Sequence, residues 1–134
     1  MSELAKIIED SDELWCGEGV DARKMLIYKI EMKKKELPEL PSEFADFLKE
    51  CNGVRGSGCE IFAMNPDGPF SDILSENLRA GMGSSGGVIL GYNDFDFLVY
   101  DSENREYQLR DKDGMEISAS YRSWEDAAAA LLPL

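Results

Sequence analysis

Turn-forming clusters recur about every ten residues through the second half of this chain, and that rhythm constrains its fold more than any other feature. β-Prone runs at 88–90, 95–100, 105–109 and 115–121 are separated by Gly91-Tyr92-Asn93-Asp94, Asp101-Ser102-Glu103-Asn104 and Asp111-Lys112-Asp113-Gly114. Gly, Asn and Asp favour tight turns because they tolerate positive φ or bond their own backbone, so short strands joined this way predict an antiparallel meander. A further strand is expected over residues 59–64, ahead of Asn65-Pro66-Asp67-Gly68-Pro69, which makes roughly five in all.

The first half reads differently, being rich in Glu, Lys and Leu. Leu4, Ile7 and Ile8 stand at i, i+3 and i+4 behind Ser2, a natural N-cap, and Gly17 and Gly19 break that short helix. Asp21 caps the next segment, residues 22–36, where Met25, Tyr28 and Met32 keep helical spacing. Tyr28, Ile30 and Met32 also alternate with Lys29, Glu31 and Lys33, which is a strand pattern; length and the lysine-rich tail favour helix. After Leu40-Pro41, with Pro41 suited to the first helical position, Phe44, Phe47, Leu48 and Cys51 form one apolar stripe. Asn52-Gly53 is expected to end that helix. A short helix over 71–79 and a last one opening at Ser123-Trp124, with Asp126 three residues beyond the serine, complete the set. Helices beside an antiparallel sheet make an α+β domain, expected to be single over residues 1–134.

Charge and composition exclude several functions. Acidic residues number 27 against 14 basic ones, for a formal charge of −13. Binding to a phosphate backbone or an anionic membrane needs clustered Lys and Arg, so neither nucleic acid nor membrane is an expected partner. Histidine is absent, which removes Ser-His-Asp and Cys-His catalysis and imidazole-ligated metals. Residues 1–10 hold three acids and no long apolar run, so no secretory signal is expected. Cys16, Cys51 and Cys59 make an odd set without a Cys-x-x-Cys pair. Neither a disulfide framework nor a zinc cage is expected, each cysteine reads as a small buried hydrophobe, and a reducing cytoplasm fits.

Two motifs tempt and fail on context. Gly81-Met82-Gly83-Ser84-Ser85-Gly86 spells G-x-G-x-x-G, but the dinucleotide fingerprint needs a strand before it and a helix after it. Here a helix precedes and a strand follows, so a flexible connector is the simpler reading. Asp94-x-Asp96 and Asp111-x-Asp113-Gly114 resemble pieces of a calcium loop, yet position twelve is Arg105 or Arg122 instead of the bidentate Glu. They read as hairpin turns. No spacing singles out an acid/base carboxylate pair, so no catalytic residue, cofactor or metal ligand is assigned.

The charge is polarised: residues 41–134 carry 17 acids and 7 bases, residues 21–40 carry 4 and 6. A negative surface steers cationic partners and raises their on-rates.

The segment 40–53, LPSEFADFLKECNG, resembles the signature of the SUKH superfamily, through Leu40, Pro41, Glu43, Phe44, Phe47, Leu48, Asn52 and Gly53. Leu90-Gly91 followed by Asp94, Asp96, Leu98 and Tyr100-Asp101 is similar to its strand-turn-strand unit, and Ser123-Trp124 to the opening of its last helix. The similarity spans about residues 21–132; the loop 65–87 and residues 1–20 match nothing in it. The resemblance implies helices on one face of a mainly antiparallel sheet, and a binding protein without catalysis. Many bacterial members neutralise a cognate toxin, often a nuclease, and a fungal branch regulates cell-wall synthesis.

The expectation is therefore a cytoplasmic, non-enzymatic immunity protein that blocks a basic toxin domain by occlusion. The alternative is a regulatory or scaffold module with a host protein as partner. Expected partner contacts are Asp94, Asp96, Asp101 and Glu103 at strand ends, with Tyr92, Tyr100 and Tyr107 as aromatic anchors.

Overall fold

The computed structural model describes residues 2–134; Met1 lies outside them. Among these residues the order begins with helix α1 (Glu3–Asp10), strand β1 (Trp15–Glu18), α2 (Ala22–Lys34), α3 (Ser42–Glu50), β2 (Cys51–Gly56) and β3 (Cys59–Ile61). It continues with α4 (Ile73–Arg79), β4 (Gly87–Tyr92), β5 (Asp96–Asp101), β6 (Glu106–Asp111), β7 (Ile117–Tyr121) and α5 (Trp124–Leu131). All strands join one sheet in the order β1-β2-β3-β4-β5-β6-β7, each antiparallel to its neighbour.

The α+β class and the meander from β4 to β7 agree with the turn rhythm. Two features differ from expectation. The sheet has seven strands among the described residues, not roughly five, because β1 and β2 carry no strand signal of their own. In β1, Gly17 reads as a helix breaker, yet it is needed where the strand presses on β2: a Cβ there would lie 2.2 Å from the Asn52 carbonyl oxygen. In β2, Asn52-Gly53 reads as a helix end. α3 instead stops at Glu50 and the chain passes directly into the strand, with Gly53 at φ 100°.

The packing also does not clearly place the helices on one face. α3 and α5 cover the face that carries Tyr107, where Trp124 packs against Phe44, Phe47 and Tyr107 at ring-centroid distances of 4.8, 5.2 and 5.9 Å. α1 packs beside β1, and α4 beside β4. The position of α4 follows from the shortness of β3, which ends at Ile61 and leaves Ile89 of β4 without a strand partner on that side. Asn77 of α4 fills the gap. Its Nδ2 donates to the carbonyls of Ile89 and Ile73 (2.9 and 2.8 Å), and its Oδ1 accepts the Ile89 N–H (2.7 Å). Asn52 does the same for Met64, accepting its N–H at 2.8 Å and donating to its carbonyl at 3.3 Å. Two buried amides thus replace missing ladder bonds, as buried backbone groups require.

Capping agrees with the sequence. Ser2, Asp21 and Ser123 accept the N–H of Ala5, Lys24 and Asp126, while Pro41 stands at the N-cap of α3, one residue before the expected first helical position. The Gly81–Gly86 stretch follows a helix and precedes a strand, but it is pinned, not free. Ser84 donates its N–H and hydroxyl to Glu36 (2.8 and 2.6 Å), and Met82 is buried.

The cysteines correct the sequence reading. Cys16 of β1 and Cys51 of β2 form a disulfide, with Cα atoms 5.6 Å apart. A separation of 35 residues makes no short motif, and the pairing depends on a strand that the sequence did not announce. Cys59 is free and buried, and burial pushes its thiol pKa up.

Candidate functional site

In a meander, alternate turns share an end of the sheet. The β2–β3, β4–β5 and β6–β7 turns therefore meet at one end, and the β5–β6 turn lies at the other. The β5–β6 register runs from Asp96↔Asp111 to Asp101↔Glu106, five steps or roughly 17 Å.

The three turns are tied into one rim. Asn93 Oδ1 accepts the N–H groups of Phe95 and Asp96 (3.1 and 2.9 Å), and its own N–H donates to the Asp96 carbonyl (2.9 Å). This closes the turn tightly and pushes residues 94 and 95 outward. The β6–β7 turn is closed by Met115 N–H on the Asp111 carbonyl (2.7 Å) and Asp113 N–H on Asp111 Oδ1 (2.7 Å). Lys112 N–H then donates to the Phe95 carbonyl at 3.2 Å, which joins these two turns. Gly58, at φ 77°, sits so close that a Cβ would lie 2.3 Å from Asp94 Oδ1.

This rim carries Asp94, Asp96, Asp111, Asp113 and Glu116, and among the described residues none of them forms an ion pair. Lys112 is turned to an aromatic pair, with its Nζ 4.7 Å from the Tyr92 ring centroid and 5.8 Å from that of Phe97. Phe95 stands at the centre, 78% exposed. A phenylalanine held out in water by a closed turn forgoes the transfer energy that usually buries it.

The opposite end has the same charge pattern but a different chemistry. Asp101 and Glu106 also face each other, yet Gln108 Nε2 donates to both carboxylates (3.1 and 2.9 Å). Arg110 in turn donates to Gln108 Oε1 (2.9 and 2.7 Å). Asp101 further accepts the N–H of Glu103 (3.0 Å) and the Asn104 side-chain amide (2.8 Å). Burial works against its charge, but these donors outweigh it and hold the Asp101 pKa below the usual carboxylate value. Glu106 is lowered too, first by Gln108. Here the repulsion is compensated from within; at Asp96↔Asp111 it is left open.

The expected contact residues consequently divide. Asp94 and Asp96 belong to the rim. Tyr92 lies behind it, where its hydroxyl donates to Glu60 (3.1 Å) and its pKa is raised by burial and then by that carboxylate. Glu60, 1% exposed, also accepts from Arg55 (3.1 Å) and from the Ser71 N–H and hydroxyl (2.7 and 2.8 Å). Tyr100, Asp101 and Glu103 lie at the far end. Tyr107 is 1% exposed and donates to Glu43 (3.1 Å), so it is core and offers a partner no surface. Phe95, Asp111, Asp113 and Glu116 escaped the sequence reading, although the alternation of turns in a meander was the signal that joins them.

Among the described residues no three Asp, Glu or Cys side chains converge to hold a metal ion, and no helix is long and apolar enough to cross a membrane. Compared with known proteins, the chain matches no family model, and no curated protein matches it significantly.

Proposed function

We propose that this chain is a non-catalytic immunity protein that occludes a basic toxin domain, and that it docks through the acidic rim around Phe95. The observation that carries the reading is the combination of an uncompensated carboxylate pair and a fully projected aromatic ring on a frame of three interlocked turns. Uncompensated like charges destabilise the free protein and persist where a cation arrives from outside. An exposed aromatic ring encircled by polar groups is the usual form of an interface anchor. A nuclease suits the rim because its own substrate demands a cationic surface, which carboxylates mimic phosphate in engaging. The resemblance of residues 40–53 to the SUKH signature points the same way.

The test uses the tagged chain as bait in lysate of its own source, followed by co-expression with what it captures. A basic toxin domain whose lethality is relieved by co-expression supports the reading. Phe95→Ala is expected to weaken the complex by about 2 kcal/mol, roughly 30-fold, the scale of an aromatic hot spot. Association is expected to slow as salt rises, because steering acts over a Debye length of about 8 Å at physiological strength. Failure of co-expression to protect refutes immunity, and capture of a host envelope or signalling protein through the same rim favours the scaffold alternative.

A further inference from the structure

At the other end of the sheet a cleft of about 820 Å³ opens between α2, the loop 35–41, α3 and the β5–β6 turn. Its apolar lining is formed chiefly by Met25, Met32, Leu37, Leu40, Met64 and Tyr100. Lys29, Lys33, Lys49 and Arg105 line it as well, against only two acids, Glu39 and Asp46. The local balance is thus cationic in a chain of formal charge −13. Both acids are already spent on lysines, Lys29–Glu39 at 2.9 Å and Lys49–Asp46 at 3.2 Å, in exposed pairs that a competing anion displaces cheaply. Lys33 and Arg105 form no ion pair among the described residues.

We infer that this cleft binds a small amphiphilic anion, an acyl chain bearing a carboxylate head. The volume lies within the range of sites that enclose small ligands, roughly 300–1,000 Å³. Methionine thioethers on unbranched, mobile stems adapt to a flexible apolar chain. A bound peptide would bring backbone N–H and C=O groups that need partners, and beside the hydroxyls of Ser42, Ser102 and Tyr100 the lining offers apolar methionine and leucine side chains and two prolines without N–H. An acyl tail makes no such demand, and its carboxylate meets Lys33 and Arg105 at the mouth. The site is separate from the rim around Phe95, and its occupancy does not depend on the reading of that rim.

The experiment is a titration of the full chain, labelled at the methionine methyls, with laurate below its micelle concentration. Dodecyltrimethylammonium and dodecanol serve as cationic and neutral controls. Saturable shifts at Met25 and Met32, with Met115 unmoved, are expected for laurate and not for the cationic chain. Lys33→Glu with Arg105→Glu, both exposed positions, is expected to weaken laurate about tenfold at unchanged thermal stability, the scale of two lost surface charge contacts. Equal binding of both charged amphiphiles, indifference to the double substitution, or shifts spread over all the methionines would overturn the inference. So would an acidic peptide that moves Met25 and Met32 where laurate does not.

Discussion

The Asp96↔Asp111 pair is open to a quantitative test. Directly opposed residues place their Cβ atoms about 5 Å apart, so two outward-leaning carboxylates have charges about 6 Å apart. In a water-like dielectric the repulsion is about 0.7 kcal/mol, since 332/(80 × 6) is close to that value. Screening leaves about 0.6 kcal/mol at 10 mM salt, about 0.3 at 0.15 M and about 0.1 at 1 M, for Debye lengths of about 30, 8 and 3 Å. Asp96→Asn relieves the repulsion, and among the described residues no hydrogen bond of the Asp96 side chain opposes the change. Asp111→Asn relieves the same repulsion and keeps an oxygen for the Asp113 N–H. Each single variant is therefore expected to be more stable than the parent by these amounts, with the double variant gaining little more than either. The assay is urea unfolding at the three salt concentrations, with m held common. Guanidinium is unsuitable because it is itself a salt. The coupling energy from the cycle isolates the pair from the other rim acids. Strict additivity, a gain that does not shrink with salt, or destabilisation by Asp96→Asn would refute the assignment of an uncompensated charge pair.

Three further outcomes follow from the same structure. Asn77→Ala strands the buried N–H and C=O of Ile89 and is expected to cost about 2–4 kcal/mol in urea unfolding; a loss under about 1 kcal/mol would mean that another group satisfies them. Denatured, unreduced protein is expected to titrate one thiol, Cys59, and reduction to cost about 3–4 kcal/mol for a loop of 35 residues; three thiols would refute the Cys16–Cys51 bond and restore the reducing-compartment reading. The folded pKa of Asp101 is depressed, so its contribution is complete above the unfolded value near 4 and vanishes as pH falls through the folded one. Tyr28 and Tyr107 have raised folded pKa values, chiefly through burial and then through Asp72 and Glu43, so their contribution holds below about pH 10 and is lost above it. The urea midpoint is expected to fall on both sides, and Tyr107→Phe to flatten the alkaline limb; ionisation of Tyr107 at an ordinary tyrosine pH in the folded protein would sink that account.

Legibility followed the range of the forces involved. Ser2, Asp21 and Ser123 cap helices through contacts three residues away, and the turns after 92, 101 and 111 close on themselves, so a reader of the sequence sees both. β1 and β2 carry no such local signal because Trp15–Glu18 and Cys51–Gly56 are strands only by virtue of each other. Their glycines are there for backbone approach and resemble helix stops when read alone. The site was half legible. Asp94 and Asp96 are legible at their turn, but residue type alone does not say that Tyr107 faces α3 and α5 while Phe95 faces water.

By itself, the order of residues determined the helices, the meander, the acidic balance and the lack of imidazole chemistry, since each is set by neighbours along the chain or by composition. Only the folded molecule decided which carboxylates are bridged by the Gln108 amide and which stand open beside Phe95. It also decided which glycine is a spacer and not a stop, and which cysteine has a partner. Those outcomes depend on strand register and on packing between residues far apart in sequence, which local propensity does not encode.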